Sequence, residues 1–189
     1  MDILLLGPPG AGKGTQGALL SQRTGLPRFA TGDLLRDAVT RETPLGLAAK
    51  AIMESGDLVR DDVILGIVHD QLLDPSAARG VIFDGVVRTV PQAEGVDTLL
   101  RQLGRRLDRV IFLDVSDQEV LERINRRRDL EGRADDSPEA LVRRLQAYRS
   151  QTAPVLAWYD DRIGVTRVPA QGTIEEVAER IAKAIETPA

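Results

Sequence analysis

Cysteine is absent from the 189-residue chain, and His69 is its only histidine. Without thiols there can be no disulfide and no thiolate metal centre, and one imidazole cannot complete a four-ligand zinc site. No zinc is therefore expected. With no second histidine or nucleophile beside it, His69 reads as structural. Aromatic residues make up only 3% of the chain, which leaves little for the base-stacking platforms of RNA-binding proteins. No apolar run approaches the ~18 residues of a membrane span. Met1-Asp2 also lacks the basic start of a secretion signal, so a cytoplasmic location is expected. A net charge of −4 gives the whole molecule no attraction for nucleic acid or acidic membranes. Lysine is scarce as well: Lys13, Lys50 and Lys183 stand against 22 arginines. What remains is an ordinary globular composition, long enough for one domain with a substantial core.

One of those few lysines lies in the stretch Gly7-Pro8-Pro9-Gly10-Ala11-Gly12-Lys13-Gly14-Thr15. The apolar run Ile3-Leu4-Leu5-Leu6 leads into it and a helical pattern (Ala18, Leu19, Leu20) leaves it. Strand, glycine-rich turn and helix in that order are the context of a phosphate-binding loop. Glycines let the backbone wrap an anion with its N–H groups, and the helix N-terminus adds partial positive charge. Lys13 can reach the β and γ phosphates, and the Thr15 hydroxyl is placed to ligate Mg²⁺. A simple turn with a solvated lysine fits the composition poorly, given how few lysines the chain has.

Further along, a first helix should run to about Arg23 and end at Thr24-Gly25, followed by a short strand over Leu26 to Ala30. Thr31 is a candidate N-cap for the next helix, and Pro44 a candidate first residue of another, through Glu54. Val63, Ile64, Ile67, Val68 and Leu72 have helical spacing. Gly80 to Gly85 is an apolar run ending in Asp84, and Leu107 to Val115 is a second one. Ser116 to Glu119 reads as a capping box. Ser137-Pro138 opens a long helix reaching Tyr159, Gly164 to Val168 is the last strand, and Thr173 caps the final helix. Apolar strands alternating with helices imply a doubly wound parallel α/β sheet, five-stranded and covered on both faces.

The loop G-P-P-G-A-G-K-G-T closely resembles that of nucleoside monophosphate kinases, adenylate kinases in particular. Three further phrases fit in order: Thr31-Gly32-Asp33-Leu34-Leu35-Arg36, Asp84-Gly85 with Arg88-Thr89 and Gln92, and Arg123, Arg127, Arg133 and Arg144-Leu145. The resemblance implies transfer of the γ-phosphoryl group of MgATP to AMP, giving two ADP. It implies catalytic roles for Lys13, Arg88, Arg127, Arg133 and Arg144. ATP would be held by Gly10, Ala11, Gly12, Lys13, Gly14, Thr15, Arg123, Arg127, Gln171 and Gly172. AMP would be held by Thr31, Arg36, Asp57, Leu58, Val59, Gly85, Arg88, Gln92, Arg133 and Arg144. Thr15 and Asp84 would serve Mg²⁺, partly through water, and Asp135 and Asp136 would orient the arginines or hold a closed lid.

The implied organisation is one domain with an AMP-binding flap over about 31–60 and a short lid over about 123–136. The implied partners are ATP, AMP and ADP, bound by a monomer. Val86-Val87 replaces the family's aromatic-Pro pair, and a trans peptide is expected there, because a cis bond before a non-proline residue is costly. A UMP/CMP kinase of the same fold and a non-enzymatic nucleotide-sensing module are the alternatives.

Overall fold

The structure, a computed structural model, describes residues 1–131 and 137–186. Five parallel strands form one sheet in the order β2-β3-β1-β4-β5. They are β1 (Ile3–Leu6), β2 (Arg28–Ala30), β3 (Ile82–Asp84), β4 (Arg109–Asp114) and β5 (Thr166–Pro169). The helices are α1 (Lys13–Thr24), α2 (Thr31–Thr40), α3 (Pro44–Ser55), α4 (Asp61–Leu72), α5 (Val90–Gln102), α6 (Asp117–Glu131), α7 (Pro138–Ala147), α8 (Ala153–Ile163) and α9 (Ile174–Glu186).

The sheet is covered on both faces, which is why its central strands read as unbroken apolar runs rather than alternating ones. Successive residues of β1 go to opposite sides. Leu4 and Leu6 join Phe83, Val110, Phe112, Val96, Leu100 and Tyr159 in one core. Ile3 and Leu5 join Ile82, Ile111, Leu113, Leu20, Ile124 and Ile181 in the other. Strand β1 sends the chain to β2 on one side, while its neighbour β3 sends it across to β4 on the other. The crevice at the carboxyl ends of two such strands is where open α/β sheets bind ligands. It is here that Asp84, paired in register with Leu5, comes beside the loop following β1.

Several local expectations are met in detail. Gly25 ends α1 with φ 71°, and Pro44 lies in the first turn of α3; Thr43, which the sequence did not mark, caps that helix by accepting from Gly46 N. Thr173 and Glu176 form a reciprocal capping box at α9, at 3.2 and 2.9 Å. At α6 only half of the expected box forms: Ser116 Oγ accepts from Glu119 N, while the Glu119 carboxylate turns to Arg123. Thr31 is not a cap. Strand β2 passes straight into α2 with Ala30 at the cap position, so Thr31 is already helical and its hydroxyl donates to the Gly85 carbonyl instead. The long helix from Pro138 is interrupted by a wide π turn over Tyr148–Thr152, just before Pro154 in the first turn of α8. Proline lacks the N–H that a regular continuation would need.

A buried charge ties the start of the chain to the sheet. Asp2 is only 3% exposed, and its carboxylate accepts from the Val81 N–H (3.0 Å) and from Arg105 Nε (3.0 Å). Replacing Asp2 by alanine would strand both donors, and removing one partner of a buried pair costs ~3–5 kcal/mol. Chemical denaturation of Asp2→Ala should show a loss of that order, with no change in nucleotide affinity.

Candidate active site

Strand β1 delivers the chain into a loop whose glycines take conformations closed to other residues. Gly10 and Gly12 have φ of 79° and 90°, and a Cβ on Gly10 would stand 2.8 Å from Ile124 of α6. The loop can therefore lie tight against α6 and turn directly into α1, whose first residue is Lys13. The Lys13 ammonium lies back over its own loop, donating to the carbonyls of Gly7 (2.7 Å) and Pro8 (2.9 Å). Burial pulls its pKa down to about 7; Asp84 opposes this, and Arg88, Arg144 and Arg127 add to it.

Above about pH 7 the free site holds a growing fraction of neutral lysine, whereas a bound polyphosphate favours the ammonium. ATP binding should therefore take up only part of a proton just above about pH 7, and the affinity should weaken slightly as pH rises there, because the loop N–H groups supply most of the binding. Calorimetry in buffers of different ionisation enthalpy would measure the uptake, which should vanish in Lys13→Met.

The loop opens onto a cleft of ≈ 770 Å³. Gly10 to Thr15 form its floor; Asp84, Arg88, Arg123, Arg127, Arg144 and Gly172 contribute to its walls. Arg123 bridges the phosphate loop to the segment after β5, donating to the carbonyls of Ala11 (3.3 Å) and Ala170 (2.6 Å). Gln171 is not among the lining residues; its carbonyl accepts from Arg180 (2.6 Å).

A second, narrower cavity lies beyond. Thr31, Arg36, Asp57, Leu58, Val59, Gly85, Arg88, Gln92 and Arg144 all line it, together with apolar Leu35, Met53, Ile64 and Val86. Every acceptor-site residue expected from sequence is there except Arg133, which lies outside the described residues, as do Asp135 and Asp136. Arg36, Gly85, Arg88 and Arg144 line both cavities, so the two share a wall.

The segment carrying Arg88 is held from several sides, although it lacks the family's proline. Val86 and Val87 are 1% exposed, and every peptide bond among the described residues is trans, theirs included. The Arg88 N–H donates to Gln92 Oε1 (2.7 Å), its carbonyl accepts from Thr152 Oγ1 (2.8 Å), and its Nε donates to the Gly85 carbonyl (3.0 Å). Gln92 Nε2 in turn donates to Asp61 Oδ1 (2.8 Å), which also accepts from Thr89 Oγ1 (3.0 Å). Asp61 and Thr152 had no motif to mark them, since each acts through a distant segment. Arg28 was missed for the same reason. Its guanidinium reaches the cleft from β2 and pairs with Asp84 and Asp33, each at 2.6 Å. Asp33 lies partly buried, which pushes its pKa upward, yet Arg36 and Arg28 together hold it below the usual carboxylate value.

Two cavities sharing one wall of arginines call for two phosphate-bearing ligands, and the loop between β1 and α1 sets the class: a P-loop phosphotransferase. The comparisons with known proteins narrow this to a family. The sequence profile of the adenylate kinase family matches residues 5–163. The adenylate kinase of Gemmatimonas aurantiaca is 46% identical over 211 aligned positions, covering 98% of this chain and 99% of that protein. Those of Xanthomonas euvesicatoria pv. vesicatoria (47%) and Xanthomonas campestris pv. campestris (46%) align over 185 positions with the same coverage. The chain belongs to the adenylate kinase family, enzymes that transfer a phosphoryl group from ATP to AMP. Among the described residues no helix is long and apolar enough to cross a membrane.

Proposed function

We propose that this protein moves the γ-phosphoryl group of MgATP to AMP, with ATP in the larger cleft and AMP in the narrower cavity. The observation that carries this assignment is the shared wall, because a phosphoryl group passing between the two ligands must cross the point where Arg88, Arg144 and Arg36 meet the floor holding Lys13. Phosphoryl transfer asks for little covalent chemistry. Catalysis comes from holding donor and acceptor in line and from neutralising charge on the transferring oxygens. Guanidinium groups suit that task, being planar and bidentate toward phosphate.

The loop N–H groups and Lys13 hold the β and γ phosphates, while Arg123 and Arg127 hold the donor from the α6 side. Arg36 and Arg88 hold the AMP phosphate, and Arg144 spans both ligands. Gln92 and Thr31 face the adenine of AMP, with Asp57, Leu58 and Val59 lining its pocket. The Thr15 hydroxyl and the Asp84 carboxylate are hard oxygen donors beside the loop, a set that suits Mg²⁺. Bound there with ATP, the ion would neutralise charge on the β and γ oxygens.

Residues 31–60 act as a flap over AMP, and 123–136, of which 132–136 lie outside the described residues, as a short lid over ATP, together excluding the water that would hydrolyse the donor. The absence of cysteine suits a reducing compartment, and we place the enzyme in the cytoplasm as a monomer.

A coupled assay offering AMP, UMP and CMP as acceptors tests the assignment. Turnover with AMP at least ~10²-fold above the pyrimidine nucleotides is expected, since a site built to hydrogen-bond one base rejects another strongly. Preference for UMP or CMP would make it a pyrimidine nucleotide kinase. No turnover with any acceptor would leave a binding module.

A further inference from the structure

The carboxylate that would serve the metal is already paired with a cation. Arg28 Nη1 donates to Asp84 Oδ2 (2.6 Å) and to the Gly14 carbonyl (3.3 Å), and its Nη2 donates to Asp33 Oδ2 (2.6 Å). Asp33 Oδ1 accepts from Arg36 Nη2 (2.5 Å). The Asp84 side chain is 9% exposed and that of Arg28 24%, so this pair is shielded from solvent far more than a surface salt bridge.

The route of the arginine is built into the neighbouring helix. Gly17 stands inside α1, where glycine is a poor helix former, and a Cβ there would lie 3.0 Å from Arg28 Cδ. The missing methyl leaves the channel along which the arginine stem runs. On the far side of that channel the guanidinium meets the first turn of α1 at Gly14, one residue before Thr15.

We propose that Arg28 is a built-in counter-cation that closes the Asp84 side of the metal site while no nucleotide is bound, so that the divalent ion enters with the nucleotide and not ahead of it. The proposal rests on the assignment of Asp84 to the metal. A divalent ion arriving alone would meet two carboxylates, Asp84 and Asp33, already balanced by two guanidiniums, Arg28 and Arg36, and Arg28 would repel it at short range. Nucleotide phosphates change that balance, because they bring both oxygen ligands and the negative charge that the ion needs. Sequence reading had no access to this pairing: Arg28, Asp33 and Asp84 sit on different elements, and only the parallel pairing of β2 with β3 sets them side by side.

The test is titration of the nucleotide-free protein with Mn²⁺, followed by the electron paramagnetic resonance signal of the free ion. Arg28→Gln, which removes the charge and keeps a hydrogen-bonding amide, should bind Mn²⁺ at least ~10-fold more tightly than wild type. Its melting temperature should rise with Mg²⁺ alone, whereas that of the wild type should not. Equal Mn²⁺ affinities, or no detectable binding by either protein, would overturn the proposal. Should Arg28→Gln fail to fold, Arg28→Met takes its place. That variant keeps an aliphatic stem in the channel and removes the charge, so it should also gain Mn²⁺ affinity, and an unchanged affinity would overturn the proposal. Turnover plays no part in the titration. An inactive protein that still differs from Arg28→Gln would sink the kinase assignment alone, and an active one with equal affinities would sink the counter-cation alone.

Discussion

Replacement of Lys13 by methionine is expected to lower kcat by at least ~10²–10³, the loss typical of removing one preorganised donor from a transition state, with a much smaller change in ATP affinity. The reason lies in how the lysine is held. At rest its ammonium is bound by the loop carbonyls of Gly7 and Pro8, so it is positioned without a substrate. It lines the floor of the cleft, where the proposed transfer would develop charge on the phosphoryl group. The loop N–H groups and the N-terminus of α1 bind phosphate without it, and they should preserve most of the ground-state affinity. Methionine matches the length of the aliphatic stem, so the loop should keep its packing. Steady-state kinetics with a parallel binding titration would check this, and a variant within a factor of a few of wild type would remove Lys13 from the mechanism.

Arg88→Ala should produce a loss of similar size, but with a different signature. Arg88 lines both cavities, and its backbone is clamped by Gln92 and Thr152 while its Nε is fixed on the Gly85 carbonyl. Its guanidinium is thus presented to the junction in one orientation, at little entropic cost on binding. Removing it should lower kcat/KM for AMP by ~10²–10³ and leave ATP binding nearly unchanged. Lysine should restore little, because a point charge on a flexible stem cannot reproduce a planar, bidentate donor set anchored through Nε. If Arg88→Lys recovered most of the activity, charge alone would be the requirement and the clamp around residue 88 would have no catalytic purpose.

The division between what the chain announces and what it conceals can be argued from these residues. Features carried by contiguous stretches were legible. The loop from Gly7 to Thr15 needs only a strand before it and a helix after it, and its glycine and lysine spacing states its chemistry. The apolar runs at Ile3 to Leu6 and Val110 to Leu113 report strands buried on both faces. The caps at Ser137 and Thr173 were readable because the N–H that each accepts from lies three residues on. Thr31 shows the limit of such local reading. Its side chain suits an N-cap, but β2 runs into α2 without a connecting residue to spare, and the hydroxyl is used across the sheet on Gly85.

Composition and local order therefore determined that this chain is a P-loop α/β protein without thiol chemistry. The tertiary structure decided which charges meet. The adjacency of β1 and β3 places Asp84 beside the loop, and that of β2 and β3 places Arg28 on Asp84. The packing of α4 against α5 brings Asp61 to Gln92, and the approach of the turn before α8 brings Thr152 to the Arg88 carbonyl. Each of these bonds joins residues between 31 and 64 positions apart. Periodicity and motif spacing report on neighbours within a few residues, whereas the electrostatics of a site depend on distance in space. For that reason the loop could be read from the chain, and the Arg28 guanidinium resting on Asp84 could not.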